Sequence, residues 1–343
     1  MKIARLYQAR DLRLEDAPIP RPGPGEVLVC IKAVGVCGSD VHYFKDGRIG
    51  DTVIEEPIIL GHEPAGVVED VGPGVTTVAV GDRVAVDPAI SCGVCEWCLE
   101  GHPNLCPHVQ FFGTPPTNGA FREFLTHPAH GVFKLPDNVD FVEGVMLEPL
   151  GVGIHAVDLG KIRTAYTVAI LGVGSIGLSV LQLVRLSGAS EVFVTDLIDT
   201  RLDLARRLGA DVVLHAGRED PVARIKDLTE GRGVDVVFEA AGVLETPQQG
   251  VDLLKPGGTL ALIGICPDDQ IPLRASPSRR KGITIRMVRR MKNVYPRAIR
   301  LAQKGRVDLK SLVTHRYPLA RIIEAFDVVE GYKDGVVKAV VEM

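Results

Sequence analysis

Cys92, Cys95, Cys98 and Cys106 follow the pattern C-x2-C-x2-C-x7-C. Four thiolates within 15 residues can close a tetrahedral shell around Zn2+ with Zn–S near ~2.3 Å and no open position, so the spacing predicts a structural zinc site that staples a loop. An iron-sulfur cluster is the competing metal reading, because Cys106-Pro107 echoes the ending of bacterial ferredoxin motifs. Those motifs place three residues before their last cysteine, where this chain has seven. Free or disulfide-bonded cysteines are the metal-free reading. The opening Met1-Lys2-Ile3-Ala4-Arg5 begins a short alternating segment with no apolar signal core, so a reducing, cytoplasmic setting is expected and disulfides are disfavoured.

A separate cysteine, Cys37, stands upstream of the adjacent pair His62-Glu63. Thiolate, imidazole and carboxylate form a ligand set of mixed softness that fills three positions and leaves a fourth for water or a substrate hydroxyl, the arrangement of a catalytic zinc. Each residue taken alone reads as structural. The set gains weight from the elements that must position it.

The 343 residues are 46 % hydrophobic and 24 % charged, ordinary globular usage and enough for about two domains. No stretch approaches ~18 consecutive apolar residues, so no membrane span is expected. A net charge of −4 and a pI near 6.2 give no general attraction to nucleic acid or anionic lipid. One local exception is Arg279-Arg280-Lys281, Arg286, Arg289-Arg290 and Lys292, seven positive charges in 14 residues, a run that by default reads as a solvated face.

The chain changes character near residue 150. Before it, alternating segments such as Glu26-Val27-Leu28-Val29-Cys30-Ile31-Lys32 and Ala65-Gly66-Val67-Val68-Glu69-Asp70-Val71 lie between Pro/Gly punctuation, which predicts a compact antiparallel β domain. After it, apolar strand-like runs (167–171, 191–196, 212–214, 234–240, 259–265, 283–288) alternate with helical segments at 175–187 and 200–208, which predicts an α/β architecture with a doubly wound parallel sheet. From about Tyr295 a helix at 296–304 and a last strand near 336–341 form a tail too thin to hold its own core, expected to pack back onto the first domain.

Val168-Ala169-Ile170-Leu171 runs directly into Gly172-x-Gly174-x-x-Gly177 and then a helical pattern. In that order the glycines tighten the turn and let a pyrophosphate approach the backbone at a helix N-terminus. Asp196, 19 residues beyond Gly177, ends the second strand, where a carboxylate accepts from ribose hydroxyls and repels a 2′-phosphate. NAD is therefore expected over NADP. Arg201 is expected to stack on or border the adenosine.

Several segments together resemble the zinc-containing medium-chain dehydrogenases, most closely their sorbitol (polyol) dehydrogenase branch. They are 35–43 around Cys37, Gly61-His62-Glu63, Gly81-Asp82-Arg83-Val84, the four-cysteine lobe, Thr114-Pro115-Pro116-x-x-Gly119, Glu148-Pro149-Leu150 and Val313-Thr314-His315-Arg316. The resemblance spans nearly the whole chain. It implies a GroES-like catalytic domain over 1–150 with its zinc lobe at 91–107, a Rossmann NAD-binding domain over 151–290, a C-terminal segment 291–343 returning to the first, and a homotetramer or dimer. It also implies two zinc ions, a catalytic one at Cys37, His62 and Glu63 and a structural one at Cys92, Cys95, Cys98 and Cys106. Glu148 is then the acid on the zinc-bound water or substrate, and the two acids can exchange roles. Ser39 receives the substrate proton and passes it through the nicotinamide ribose to His42. Tyr43 and Phe111 look like substrate-pocket positions. Ile176, Ile263, Gly264, Ile265, Arg289 and Arg290 join the three glycines, Asp196 and Arg201 as cofactor positions.

One departure concerns the substrate. Polyol dehydrogenases of this branch carry Phe-Arg-Tyr after the sixth strand, and this chain has Arg289-Arg290-Met291. Arg290 matches the substrate-contacting arginine, the tyrosine hydroxyl is lost, and the added charge also suits an anionic sugar. The reading is zinc- and NAD-dependent oxidation of a polyol to a ketose. Threonine and 2,3-butanediol are the same-class alternatives, and a non-catalytic NAD-binding redox sensor is the alternative of another class. Cys30 and Cys266 match no metal pattern and read as buried small residues.

Overall fold

The computed structural model describes residues 1–266 and 270–343 and divides into two compact units. One comprises Met1–Glu148, Lys292–Gly305 and Leu309–Met343; the other comprises Pro149–Met291 and Arg306–Asp308. Among the described residues no helix is long and apolar enough to cross a membrane.

The first unit is built on a seven-stranded sheet. Its central strand, Glu26–Val36, is rich in β-branched residues and almost wholly buried, as a strand covered on both faces must be. It pairs antiparallel with Glu63–Val71, Phe124–Pro128 and Lys338–Glu342, and Glu63–Val71 leads outward through Arg83–Val86 to Val132–Lys134. The expected all-antiparallel pattern fails at one edge, where Val313–Pro318 runs parallel to Lys338–Glu342. Parallel neighbours need a crossover, and helix Ile322–Glu330 supplies it. Phe326 of that helix is fully buried against Phe44 and Phe121, with ring centroids 5.0 and 5.7 Å away.

The second unit is an α/β layer with six parallel strands. Taking them in chain order as Thr167–Leu171, Glu191–Asp196, Val212–His215, Val234–Glu239, Leu254–Leu262 and Thr284–Met287, the sheet runs third, second, first, fourth, fifth, sixth. The order in which strands are added reverses between the first and fourth strands, and open α/β sheets bind ligands at the carboxyl ends of strands beside such a switch point. The fifth strand stops at Leu262, short of the predicted 265, because the N–H groups of Ile263 and Gly264 both converge on the Glu239 carbonyl, at 2.8 and 3.1 Å, and curl the chain off the ladder. The basic run is partly engaged in holding this fold. Lys281 donates to the carbonyls of Val251, Asp252 and Leu254 at 2.6–2.9 Å, closing the C-terminus of helix Thr246–Leu253.

Candidate active site

Strand Glu26–Val36 delivers Cys37 to the N-cap of helix Gly38–Asp46. Asp40, on that helix's first turn, accepts the Cys37 N–H at 3.0 Å through Oδ2. Its Oδ1 accepts the Gly61 N–H at 3.0 Å and lies 3.3 Å from His62 Nδ1. One buried carboxylate thus ties the Cys37 turn to the His62 turn and orients the imidazole, as outer carboxylates do for metal-binding histidines. Gly61 is required where it stands, because its φ is +88° and a Cβ there would meet the Phe121 ring at 2.8 Å.

Glu63 begins strand Glu63–Val71 directly opposite Gly35. A Cβ on residue 35 would lie 1.9 Å from Glu63 Oε2, so only glycine leaves room for the carboxylate to turn inward. Lys338, 3 % exposed, donates to Glu63 Oε1 at 2.7 Å and to the Val36 carbonyl at 3.2 Å. Burial works against the ammonium, but Glu63 and Cys37 outweigh it and raise its pKa.

The ligand atoms of Cys37, His62 and Glu63 all lie within 4.8 Å of one another. His62 Nδ1 and Glu63 Oε2 are buried without a directed hydrogen bond, although Asp40 and Lys338 stand within ion-pair distance. Buried polar atoms in that state are costly unless another group takes them, and sulfur, nitrogen and oxygen donors converging in this way fit zinc with a position to spare. Burial opposes the imidazolium, yet Asp40 and Cys37 prevail and hold His62 well above the usual histidine range. A metal must displace that proton. Glu148 shares the electrostatics: burial first, and then Glu63, push its carboxyl up to about 8, while His62 and Lys338 pull it down.

Ser39, His42 and Tyr43 share helix Gly38–Asp46 with Asp40. Ser39 is half-buried, Tyr43 is buried, and the His42 side chain is 33 % exposed with Nδ1 3.6 Å from Asp46 Oδ2. Phe111 packs beside the ligand set, its ring centroid 5.4 Å from that of His62.

The four-cysteine lobe gathers its sulfurs around a four-residue helix, Glu96–Leu99, and a single 3-10 turn, Pro103–Leu105. All four sulfurs lie within 4.8 Å of one another, with Cys92 3.5 Å from Cys106 and 4.0 Å from Cys98. A tetrahedron with Zn–S of ~2.3 Å has edges of about 3.8 Å, so the set fits a closed zinc shell. None of the cysteines forms a disulfide.

In the second unit the glycine turn is close-packed by necessity. Gly172 has φ +88°, with Ala241 N 2.7 Å from where its Cβ would be, and a Cβ on Gly177 would stand 2.0 Å from the Gly172 carbonyl oxygen. Gly174 is the N-cap of helix Ser175–Leu186, with Ile176 on its first turn. The Arg201 guanidinium reaches this turn, Nη1 lying 3.7 Å from the Cβ position of Gly174. Asp196 is held by three backbone N–H groups, those of Val173 at 2.8 Å, Leu197 at 2.8 Å and Ile198 at 3.0 Å. A carboxylate offers about four acceptor positions, so one remains for a ligand hydroxyl. Ile263, Gly264 and Ile265 follow the fifth strand, and Arg289 and Arg290 follow the sixth. Arg289 is exposed, Arg290 half-buried with φ +53°, and Met291 is buried.

The sequence reading missed Asp40 and Lys338. Asp40 had a signal, the capping-box spacing after Cys37. Lys338 had a weaker one, a single charge inside Val336-Val337-Lys338-Ala339-Val340-Val341.

Comparison with known proteins places this geometry. Residues 23–137 match the alcohol dehydrogenase GroES-like domain and residues 175–304 the zinc-binding dehydrogenase domain. The chain is 40 % identical over 341 residues to a sorbitol dehydrogenase of Bacillus subtilis, covering 99 % of this chain and 97 % of the relative. An Escherichia coli oxidoreductase of unknown specificity superposes with a TM-score of 0.94 at 39 % identity, covering 99 % of this chain and 98 % of the other. A zinc-binding dehydrogenase from Sinorhizobium meliloti bound to NADP superposes with a TM-score of 0.90 at 32 % identity, covering 100 % and 99 %. With its whole length matched, the chain belongs to the zinc-containing medium-chain alcohol dehydrogenases, in the sorbitol dehydrogenase family.

Proposed function

We propose that the protein oxidises a secondary alcohol of a polyol, such as sorbitol or xylitol, to a ketose with NAD as hydride acceptor. The observation that carries this reading is the convergence of Cys37, His62 and Glu63 within 4.8 Å, with His62 and Glu63 buried and Cys37 half-buried. Cys37, His62 and Glu63 would hold a zinc ion, which would supply the Lewis acidity that eases loss of an alcohol's proton ahead of hydride transfer to the nicotinamide. Glu148 presents a buried carboxyl to the incoming hydroxyl. Ser39 accepts the hydroxyl proton and His42, one-third exposed, hands it to water. Tyr43 and Phe111 wall the substrate, and Arg290 holds its distal hydroxyls.

The same reading assigns substrate chemistry to residues 1–150 and 291–343 and the cofactor to 151–290, with a second zinc closing the cysteine lobe. It takes the enzyme to be a cytoplasmic homotetramer. Preference for NAD rests on Asp196, whose carboxylate repels a 2′-phosphate. Asp196→Ala should therefore lower the NAD-to-NADP ratio of kcat/KM by at least about tenfold. Arg289-Arg290-Met291 favours a second reading, an anionic polyhydroxy substrate.

The test is NAD and NADP reduction at 340 nm against sorbitol, xylitol, 2,3-butanediol, threonine, an aldonate and a sugar phosphate. A neutral sugar alcohol with NAD should give the highest kcat/KM. Preference for threonine or the diol would overturn the polyol assignment, and preference for the aldonate or phosphate would establish the second reading. Cofactor binding without turnover on any of them would leave a redox-sensing protein.

A further inference from the structure

The fourth strand of the parallel sheet, Val234–Glu239, carries two buried carboxylates, one near each end. Asp235 lies toward the amino end, where it accepts from the Thr167 N–H and hydroxyl at 2.9 and 2.8 Å and pairs with Arg232 and Lys255. Glu239, 1 % exposed, lies at the carboxyl end beside the switch point. Its Oε1 accepts from Ala241 N at 2.9 Å, Gly242 N at 2.8 Å and the Thr246 hydroxyl at 2.7 Å, while its carbonyl oxygen takes the N–H groups of Ile263 and Gly264. The turn so pinned touches both other loops of this edge. Ala241 N stands 2.7 Å from where a Cβ on Gly172 would be, and a Cβ on Gly264 would be 2.3 Å from Gly242 N and 2.6 Å from Glu239 Oε2.

We infer that Glu239 is a positioning residue for the dinucleotide: it locks the 240–242 turn into the one place that lets the Gly172–Gly177 turn and the Ile263–Ile265 loop approach the cofactor together. The inference rests on the assignment of those two segments to the cofactor. Asp235 does comparable structural work at the opposite end of the same strand, away from every predicted cofactor residue, and serves as the internal control.

The test is NADH titration by fluorescence, with thermal unfolding recorded on the same samples. Losing the carboxylate in Glu239→Ala lets the three loops drift, and misplacement on the order of 1 Å should raise the NADH Kd about 10- to 100-fold. Glu239→Gln keeps an acceptor for the same N–H groups and should stay within about threefold of wild type. Asp235→Asn should lower the melting temperature and leave Kd unchanged. Should Glu239→Ala fail to fold, Thr246→Val removes one of the three donors and should raise Kd by about two- to fivefold. Equal Kd values for wild type and the folded Glu239 and Thr246 variants, or a Kd rise in Asp235→Asn matching its stability loss, would overturn the inference. A wild type that binds neither NADH nor NADPH would instead sink the cofactor assignment beneath it.

Discussion

The four-cysteine lobe and the Cys37–His62–Glu63 site both gather their ligand atoms within 4.8 Å, yet the chain builds them in opposite ways. The lobe takes identical donors from one short segment of turns near the surface, where Val94 and Leu99 are 77 % and 76 % exposed. Local backbone hydrogen bonds, such as Leu99 N–H to the Cys95 carbonyl at 3.0 Å and His102 N–H to the Trp97 carbonyl at 2.7 Å, shape its turns, and a metal on the four sulfurs would tie them together. The other site draws different donors from a helix N-cap and from the start of a distant strand and sets them among buried charges: Asp40, Glu63, Glu148 and Lys338 are all at most 5 % exposed. There the fold holds the ligands through hydrogen bonds and an ion pair, and leaves a coordination position open. A closed site can be local; an open one needs a scaffold on every side but one.

Two serine substitutions should separate the two sites by the largest margin. Cys37→Ser should cut turnover by at least about 10³-fold in a protein that stays folded, because it removes a ligand from the reacting metal. Cys95→Ser should keep turnover within about tenfold of wild type and lower the melting temperature by roughly 5–10 °C. Steady-state kinetics with thermal unfolding read both, and the opposite pattern would mean the two sites have exchanged roles.

Lys338→Met addresses the scaffold. It removes the ammonium paired with the buried Glu63 carboxylate, which should cost about 3–5 kcal/mol of stability in the metal-free protein. The double variant Glu63→Gln, Lys338→Met should recover much of that loss, since two matched charges are gone. Denaturant unfolding measures both, and a Lys338→Met loss no larger than that of an ordinary surface substitution would remove the ion pair from the account.

How much could be read from the sequence follows from the same contrast. The spacing of Cys92, Cys95, Cys98 and Cys106 is local, so four residue types at short intervals suffice. The parallel sheet was equally readable, since βα alternation and the Gly172–Gly177 turn are consecutive in the chain. Lys338 was not readable. It meets Glu63 only because the last strand pairs with Glu26–Val36, a contact that spans 275 residues between the two side chains. Gly35 was hidden in the same way: its role is the empty volume above it, visible only once Glu63 stands opposite. The parallel pairing of Val313–Pro318 was missed for a related reason, as neither strand carries a mark of its partner's direction.

The smallest expected effect concerns protons. His62 is held above its ordinary pKa chiefly by Asp40 and Cys37, against the burial that opposes its charge. A ligand histidine must be neutral, so zinc binding at Cys37–His62–Glu63 should weaken as pH falls below that raised pKa, by up to about tenfold per unit from this group. No histidine is among the lobe's four ligands, so that site lacks this contribution. Chelator competition against pH on the Cys95→Ser protein isolates the mixed site, and the companion Asp40→Asn change should flatten its slope near neutrality.

Metal analysis of three purified proteins tests most directly whether one chain holds two chemically distinct zinc sites. Wild type should contain two zinc ions per chain, while Cys37→Ser and Cys95→Ser should each contain one, inactive in the first case and active in the second. Wild type with a single zinc, or either variant retaining two, would contradict it.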